Sequence, residues 1–250
     1  MIFFAVIMTF IFTALLTIAG EGAAIILIPI FVAMGFDLRV AMSTALLLNA
    51  IAMISASLRY SKKKLILYKL AVPIIISSAL FSNLGARVSE HISANLLNGL
   101  FIVFLVYAAL KMLVLKSKAT SANHKENTSI KSGITIGIIA GFIAGLLGIG
   151  GGNLIIPVLI GMGVDSKNAS ATTAFIVIFS SLSGFFGHWG AGSVNISLIL
   201  FASIASIAGA YAGSILMTDK LNSEHVKKVI GFILLLVASK KIWNLIILFI

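Results

Sequence analysis

A chain of 250 residues that is 60% hydrophobic and only 10% charged lies far outside the composition of soluble domains, which excludes a water-soluble globule and makes the membrane span the unit to count. Its net charge of +11, from 18 Lys and Arg against 7 Asp and Glu, would suggest nucleic acid in a soluble protein. In a membrane chain it marks basic cytoplasmic loops beside anionic lipid, so the bilayer is the expected partner and nucleic acid is not. Cysteine is absent, which removes disulfides, thiolate metal sites and thiol nucleophiles.

The N-terminal run MIFFAVIMTFIFTALLTIAG lacks the basic start and the Ala-x-Ala-like site of a cleaved signal peptide, so it reads as a retained segment. Apolar stretches follow at 23–36, 40–58, 65–84, 94–115, 132–147, 153–163, 168–187, 194–216 and 226–249, and helix is expected nearly throughout. Between them, 116–131 (KSKATSANHKENTSIK) has the composition of a solvated linker and divides the chain almost in half.

Sliding the chain on itself by 128 residues lays GEGAAIILIPIFVAMGFDLRVAMST over GIGGGNLIIPVLIGMGVDSKNASAT, with nine of 25 positions identical. Gly20 meets Gly148, Gly22 meets Gly150, Gly35 meets Gly163, Asp37 meets Asp165 and Thr44 meets Thr172. Two of the three prolines, Pro29 and Pro157, also fall on each other. The chain therefore reads as a duplication, with a first membrane repeat at 1–115, a cytoplasmic linker at 116–131 and a second repeat at 132–250.

Residues 1–36 and 132–163 would be roughly 54 and 48 Å long as continuous helices, too long for one crossing, and glycine interrupts each. Each is better read as a hairpin. With three further crossings per repeat, the two halves are then inverted. On that arrangement 14 of the basic residues, Arg59, Lys62, Lys63 and Lys64 among them, lie on one face and four, Arg39, Arg87, Lys240 and Lys241, on the other. Parallel repeats give 12 to 6, so the positive-inside rule prefers inversion and places both termini outside. The expected fold is an all-α polytopic membrane protein of two homologous inverted repeats, each a glycine-broken helical hairpin plus three transmembrane helices.

The second break, Gly148-Ile-Gly150-Gly151-Gly152-Asn153, exposes backbone that is tolerated at membrane depth only where protein or a cavity surrounds it. The helix resuming at Asn153 offers free N–H groups and the positive end of its dipole, both suited to an anion. The first repeat supplies the counterpart at Gly20-Glu21-Gly22, and paired broken helices are the pattern of a transporter's substrate site. The plainer reading is that these glycines only permit close helix packing.

The segment GFIAGLLGIGGGNLIIPVLIGMGVDSKNASATTAF, residues 141–175, resembles the signature of the sulfite exporter family TauE/SafE, and through the two repeats the resemblance covers essentially the whole chain. It implies a bacterial or archaeal inner-membrane transporter of small sulfur-containing anions such as sulfite, sulfoacetate and other organosulfonates. The second repeat keeps the pattern at Gly148, Gly150, Gly151, Gly152, Pro157, Gly163, Ala169 and Thr172. The first departs from it with Glu21, Ala23 and Ala24, so the site is expected to be one-sided.

Glu21 is the one acidic residue set deep among apolar ones, and an intramembrane carboxyl is costly enough to be a functional candidate by default. Either it exchanges the proton that couples anion movement, or it is a neutral carboxyl bonded to loop backbone. Asn49, Ser43, Thr44, Thr172, Thr173, Ser180, Ser181 and Ser183 follow the hairpins and offer donors to sulfonate oxygens or to neighbouring helices. Thr44 and Thr172 rank first because they are repeat-equivalent. Gly133, Gly137, Gly141 and Gly145 recur every four residues, a packing stripe for a helix contact or a homodimer seam. His188 and Trp189 read as interfacial, Asp37 and Asp165 as N-caps, and Lys62 to Lys64 as a topogenic cluster facing lipid headgroups.

The functional expectation is a secondary transporter rather than an enzyme, without cofactor or metal, carrying a small anion. Its substrate would be held by Gly148, Gly150, Gly151, Gly152, Asn153, Gly20, Gly22, Thr44, Thr172 and Asn49, with coupling through Glu21. The alternative is a passive anion channel or a cation or proton carrier using Glu21. An intramembrane hydrolase built on Ser183 and His188 lacks a G-x-S-x-G setting and leaves the duplication unexplained.

Overall fold

In a computed structural model of the chain, the residues described are 2–36, 38–89, isolated positions between 99 and 113, 130–147, 152–187 and 196–247. Regular structure among them is helical. The first repeat supplies α1 (Ile2–Ala19), α2 (Ala24–Ala33), α3 (Leu38–Lys62) and α4 (Tyr68–Ser89). The second supplies α5 (Ile130–Leu147), α6 (Gly152–Gly161), α7 (Ser166–Gly187), α8 (Ile196–Ile215) with a π-helical turn at Leu216–Lys220, and α9 (Ser223–Ile247).

The displacement of 128 residues that overlays the motifs also overlays the helices. It carries α1 onto α5 and α2 onto α6 at both ends, and α3 onto α7 and α4 onto α8 at their starts. The glycine-broken segments are thus pairs of helices, of 18 and 10 residues in each repeat. At the α-helical rise the longer arm is about 27 Å and the shorter about 15 Å, so α2 and α6 are too short to cross a bilayer alone. Both stop at a glycine, Gly35 with φ of +91° and Gly163 with φ of +90°, where a side chain would strain the left-handed backbone that closes the helix.

The chain divides into two compact units, and each takes elements from both repeats: 1–66 with 167–221, and 67–166 with 222–250. In the first unit α1 packs chiefly on α8, α8 also packs on α3, and α2 lies on α3. In the second unit α4 packs on α5, which also meets α6. Because α1 corresponds to α5 and α8 to α4, one helix pairing is built once in each unit, each time from one helix of each repeat.

Small residues allow both pairings. In the second unit Gly133, Gly137 and Gly141 of α5 face α4, and a Cβ on them would press into Leu70 and Pro73, Ile74 and Ser77, and Ser78 respectively. The glycine stripe is therefore a helix contact within the chain for these three positions. In the first unit the glycines sit on the opposite partner: Gly209 and Gly213 of α8 face Phe10, Thr13, Ala14 and Thr17 of α1. Without a hydrophobic force between helices in lipid, such backbone approach is what makes one pairing better than another.

Outward faces are apolar in rows. Tyr68, Val72, Ile76, Leu80, Leu84 and Val88 are exposed along α4, and Leu200, Ile204, Ile207 and Tyr211 along α8. Thr9, Thr13, Thr17, Ser43, Thr44, Asn49, Ser170, Thr172 and Thr173 are buried instead. This inverts the distribution of a water-soluble protein and suits helices surrounded by lipid. Val40–Lys62 and Leu198–Lys220 are each long and apolar enough to cross a membrane.

Polar contacts tie one end of the first unit. Asp219, on the π-helical turn, pairs with Arg59 and, at 3.0 Å, with Lys63. Thr218 accepts from Arg59 Nε at 3.2 Å through its hydroxyl, and from Lys167 Nζ at 3.0 Å through its carbonyl. Part of the Lys62 to Lys64 cluster thus binds protein, while all three side chains remain exposed.

Candidate functional site around the first hairpin break

The break between α1 and α2 is a helix stop of a recognisable kind. Gly20, with φ of +75°, donates its N–H to Thr17 O at 2.9 Å, and Glu21 donates its own to Leu16 O at 3.3 Å. This is the Schellman arrangement, whose final residue is placed to fold its side chain back over the helix's last turn, normally in an apolar contact. The same pair of bonds closes α2 at Gly35, α3 at Lys64 and α6 at Gly163. There the final residues are Phe36, Leu65 and Val164, and the Phe36 ring meets Phe31 edge-on at 6.2 Å. At the first break that apolar place is held by Glu21, which is buried.

Gly22 continues the left-handed backbone with φ of +71°, and the chain is crowded from two sides. A Cβ on Gly20 would overlap the Ser170 carbonyl of α7, and one on Gly22 would overlap the Asn49 amide of α3. Asn49 Oδ1 accepts from the N–H of Ala24, the first residue of α2, at 3.4 Å, and Asn49 Nδ2 donates to Ser181 Oγ of α7 at 2.9 Å. One amide thus caps the resuming helix and ties α3 to α7. The hydroxyl of Tyr60, a fully buried α3 side chain, donates to Thr17 O at 2.9 Å.

Of the residues expected at the site, Gly20, Glu21, Gly22 and Asn49 gather here. Thr44 and Thr172 are buried on α3 and α7. Ser181 bonds Asn49 rather than standing free, Ser180 donates to Val177 O of its own helix at 3.2 Å, and Ser183 is exposed. At the second break Gly152 opens α6, whereas Gly148, Gly150, Gly151 and the Asn153 side chain lie outside the described residues, as do Asp37, His188 and Trp189. Asp165 directly precedes α7, the place expected of a cap.

Thr173 apart, sequence reasoning missed a set of hydroxyls. Thr9 donates to Ala5 O at 2.7 Å and Ser77 to Pro73 O at 2.6 Å, the usual recourse of a hydroxyl on an apolar helix. Thr13, Thr17, Ser57, Ser170 and Thr173 are buried with no hydrogen-bond partner, and all five belong to the first unit, the one that holds Glu21. A buried hydroxyl left so is costly unless water or a ligand completes it. The four-residue spacing of Thr9, Thr13, Thr17 and Glu21 was the readable signal.

The sulfite exporter TauE/SafE family profile matches residues 5–240. The chain is 28% identical over 257 residues to the probable membrane transporter protein YunE of Bacillus subtilis, covering 91% of this chain and 92% of that one. It is 28% identical over 246 residues to a probable membrane transporter protein of Methanocaldococcus jannaschii, covering 92% and 91%. A probable membrane transporter protein of Haemophilus influenzae matches at 27% over 228 residues, covering 84% and 83%. No solved structure matches. A match that runs through both repeats and both helix breaks makes this chain a member of the TauE/SafE sulfite exporter family.

Proposed function

We propose that this membrane transporter exports a small sulfur-containing anion, such as sulfite, sulfoacetate or another organosulfonate, across a prokaryotic inner membrane, with Glu21 exchanging the coupling proton. The observation that carries the reading is the buried carboxyl of Glu21 at a helix stop whose three counterparts among the described residues hold Phe36, Leu65 and Val164. An acid there costs stability that an apolar residue would not, and a coupling role gives it a reason. Gly20, Gly22, Asn49, Thr44 and Thr172 bring backbone and neutral polar groups to the same unit; in the other unit, the N–H groups opening α6 at Gly152 and Asn153 are of a kind that suits an anion.

A carboxylate repels an anion and a carboxyl does not, so proton and anion binding favour each other by reciprocity. Purified protein in liposomes, loaded with sulfite or sulfoacetate under an imposed pH gradient, tests this against sulfate and acetate. Glu21→Gln imitates the protonated acid: anion binding should persist and lose its pH dependence, while pH-driven accumulation fails. Unchanged pH-driven transport in that variant would reduce Glu21 to a structural residue.

The charge division along the chain supports inverted repeats spanning the membrane several times, with an outside N terminus and a cytoplasmic 116–131. Single cysteines at Thr120 and Ser89 should then label from opposite sides of intact cells, and labelling from one side would end the inverted arrangement.

A further inference from the structure

We propose that the outward side of the contact between α3 and α8 binds an anionic phospholipid, its phosphate on Arg59 and Lys62 and its acyl chains along the apolar rows that lead away from them. On α3, Ile51, Ile54, Ser55, Leu58, Arg59 and Lys62 fall on one helical stripe at three- and four-residue steps. Ile54, Leu58 and Lys62 are exposed, and the other three are half-buried. On α8, Leu200, Ile204, Ile207 and Tyr211 form an exposed stripe of the same kind. Two contacts set the stripes side by side. Ser55 Oγ lies 3.5 Å from Ile207 O, and the Arg59 guanidinium stands 5.7 Å from the centre of the Tyr211 ring. Ser55, a small residue, thus occupies the line of contact between rims of larger apolar side chains.

Protein contacts fix the cationic end of this surface. Arg59 donates from Nη2 to Asp219 and from Nε to the Thr218 hydroxyl at 3.2 Å, while Lys63 pairs with Asp219 at 3.0 Å. Lys167 donates to Thr218 O at 3.0 Å. Three cations therefore gather at a turn that supplies one carboxylate, and the cluster keeps a net positive charge. The Arg59 side chain is only 20% exposed, so its guanidinium is held in place rather than free in solvent. Among the described residues, Arg59 Nη1, the Tyr211 hydroxyl and the Lys62 ammonium have no hydrogen-bond or ion-pair partner. Lys64 and Lys220 add two further exposed cations.

A small soluble anion would use the cations alone. A fixed guanidinium, an aromatic ring and two exposed apolar rows in one continuous surface match an amphiphile, whose charge and chains belong to the same molecule. Guanidinium suits phosphate geometrically, and tyrosine favours the depth of the headgroups. On the proposed topology these cations also share the cytoplasmic face, where anionic lipid attracts lysine and arginine.

Native mass spectrometry of the purified full chain in detergent, titrated with dioleoyl phosphatidylglycerol or dioleoyl phosphatidylcholine, tests the site. The first phosphatidylglycerol should bind tighter than phosphatidylcholine by about tenfold or more, and Arg59→Gln and Lys62→Gln should each weaken it by about fivefold, the scale of one cation beside an anionic headgroup. Asp219→Asn breaks the same ion pair as Arg59→Gln but keeps the cations, so its binding should stay within about twofold of wild type. This separates a lost ligand contact from a disturbed turn. Lys69→Gln, which removes an exposed charge at the start of α4, should leave binding unchanged. Should Arg59→Gln not fold, Lys62→Gln carries the test alone. Equal affinity for the two lipids, or equal losses in Lys62→Gln and Lys69→Gln, would leave only diffuse attraction and overturn the site. Displacement of the lipid by equimolar inorganic phosphate or sulfite would overturn it too, making the cluster a site for soluble anions. None of these outcomes depends on the transported substrate or on Glu21.

Discussion

The α1–α8 seam and the α4–α5 seam are the same helix pairing made twice, yet the glycines that permit it sit on opposite partners. In the second unit they line α5, the hairpin helix, at Gly133, Gly137 and Gly141; in the first they line α8, at Gly209 and Gly213. Close approach in lipid needs small residues on only one side. Moving them to α8 leaves α1 free to carry Thr9, Thr13 and Thr17 and to end at Glu21, so a structural duplication became a chemical asymmetry. In sequence the second break keeps its glycines, and the first carries the acid.

The largest effects should come from filling either seam. Gly137→Leu drives a side chain into Ile74 and Ser77, and Gly213→Leu into Ala14 and Thr17. Overpacking of this kind costs about 1–3 kcal/mol or more. Both should lower the yield of folded protein in the membrane, whereas Gly161→Ala, where nothing lies within 4 Å of the added carbon, should not. A normal yield for Gly137→Leu would show that the α4–α5 contact is not what holds that unit.

Next in size is Asn49→Ala, which removes the cap on Ala24 and the bond to Ser181 at once. A loss of about 1–2 kcal/mol is expected. Its repeat-equivalent is Val177, so the second repeat has no matching amide to lose. Thermal unfolding of the purified variant checks this, and an unshifted midpoint would assign Asn49 to substrate rather than to scaffold.

Smallest is Asp219→Asn, which breaks partly exposed ion pairs with Arg59 and Lys63. Such pairs contribute little and are screened by salt. The variant should differ from wild type only at low ionic strength, and a stability loss that persists in high salt would point to the Thr218 contacts of the π-helical turn instead.

Much of the candidate site was legible before the structure. Gly20 and Gly22 marked the break because no other residue takes the left-handed backbone so readily, and Glu21 stood out because an acid among apolar residues has few structural excuses. The roles of Asn49 and Ser181 were not legible. An amide on an apolar helix reads alike whether it meets a ligand, a cap or another helix, and only the partner distinguishes them.

The sequence by itself determined the helices, the offset of 128 residues that overlays them and the glycine stops, because backbone propensity and hydrophobic length act locally. The tertiary structure decided which helices pair across the repeats and which hydroxyls remain unbonded. In lipid, a face turned to a neighbouring helix is nearly as apolar as one turned to the bilayer, so hydrophobicity carries little record of the partner. That choice rests on the fit of small residues against opposing backbone, which exists only once both helices are in place.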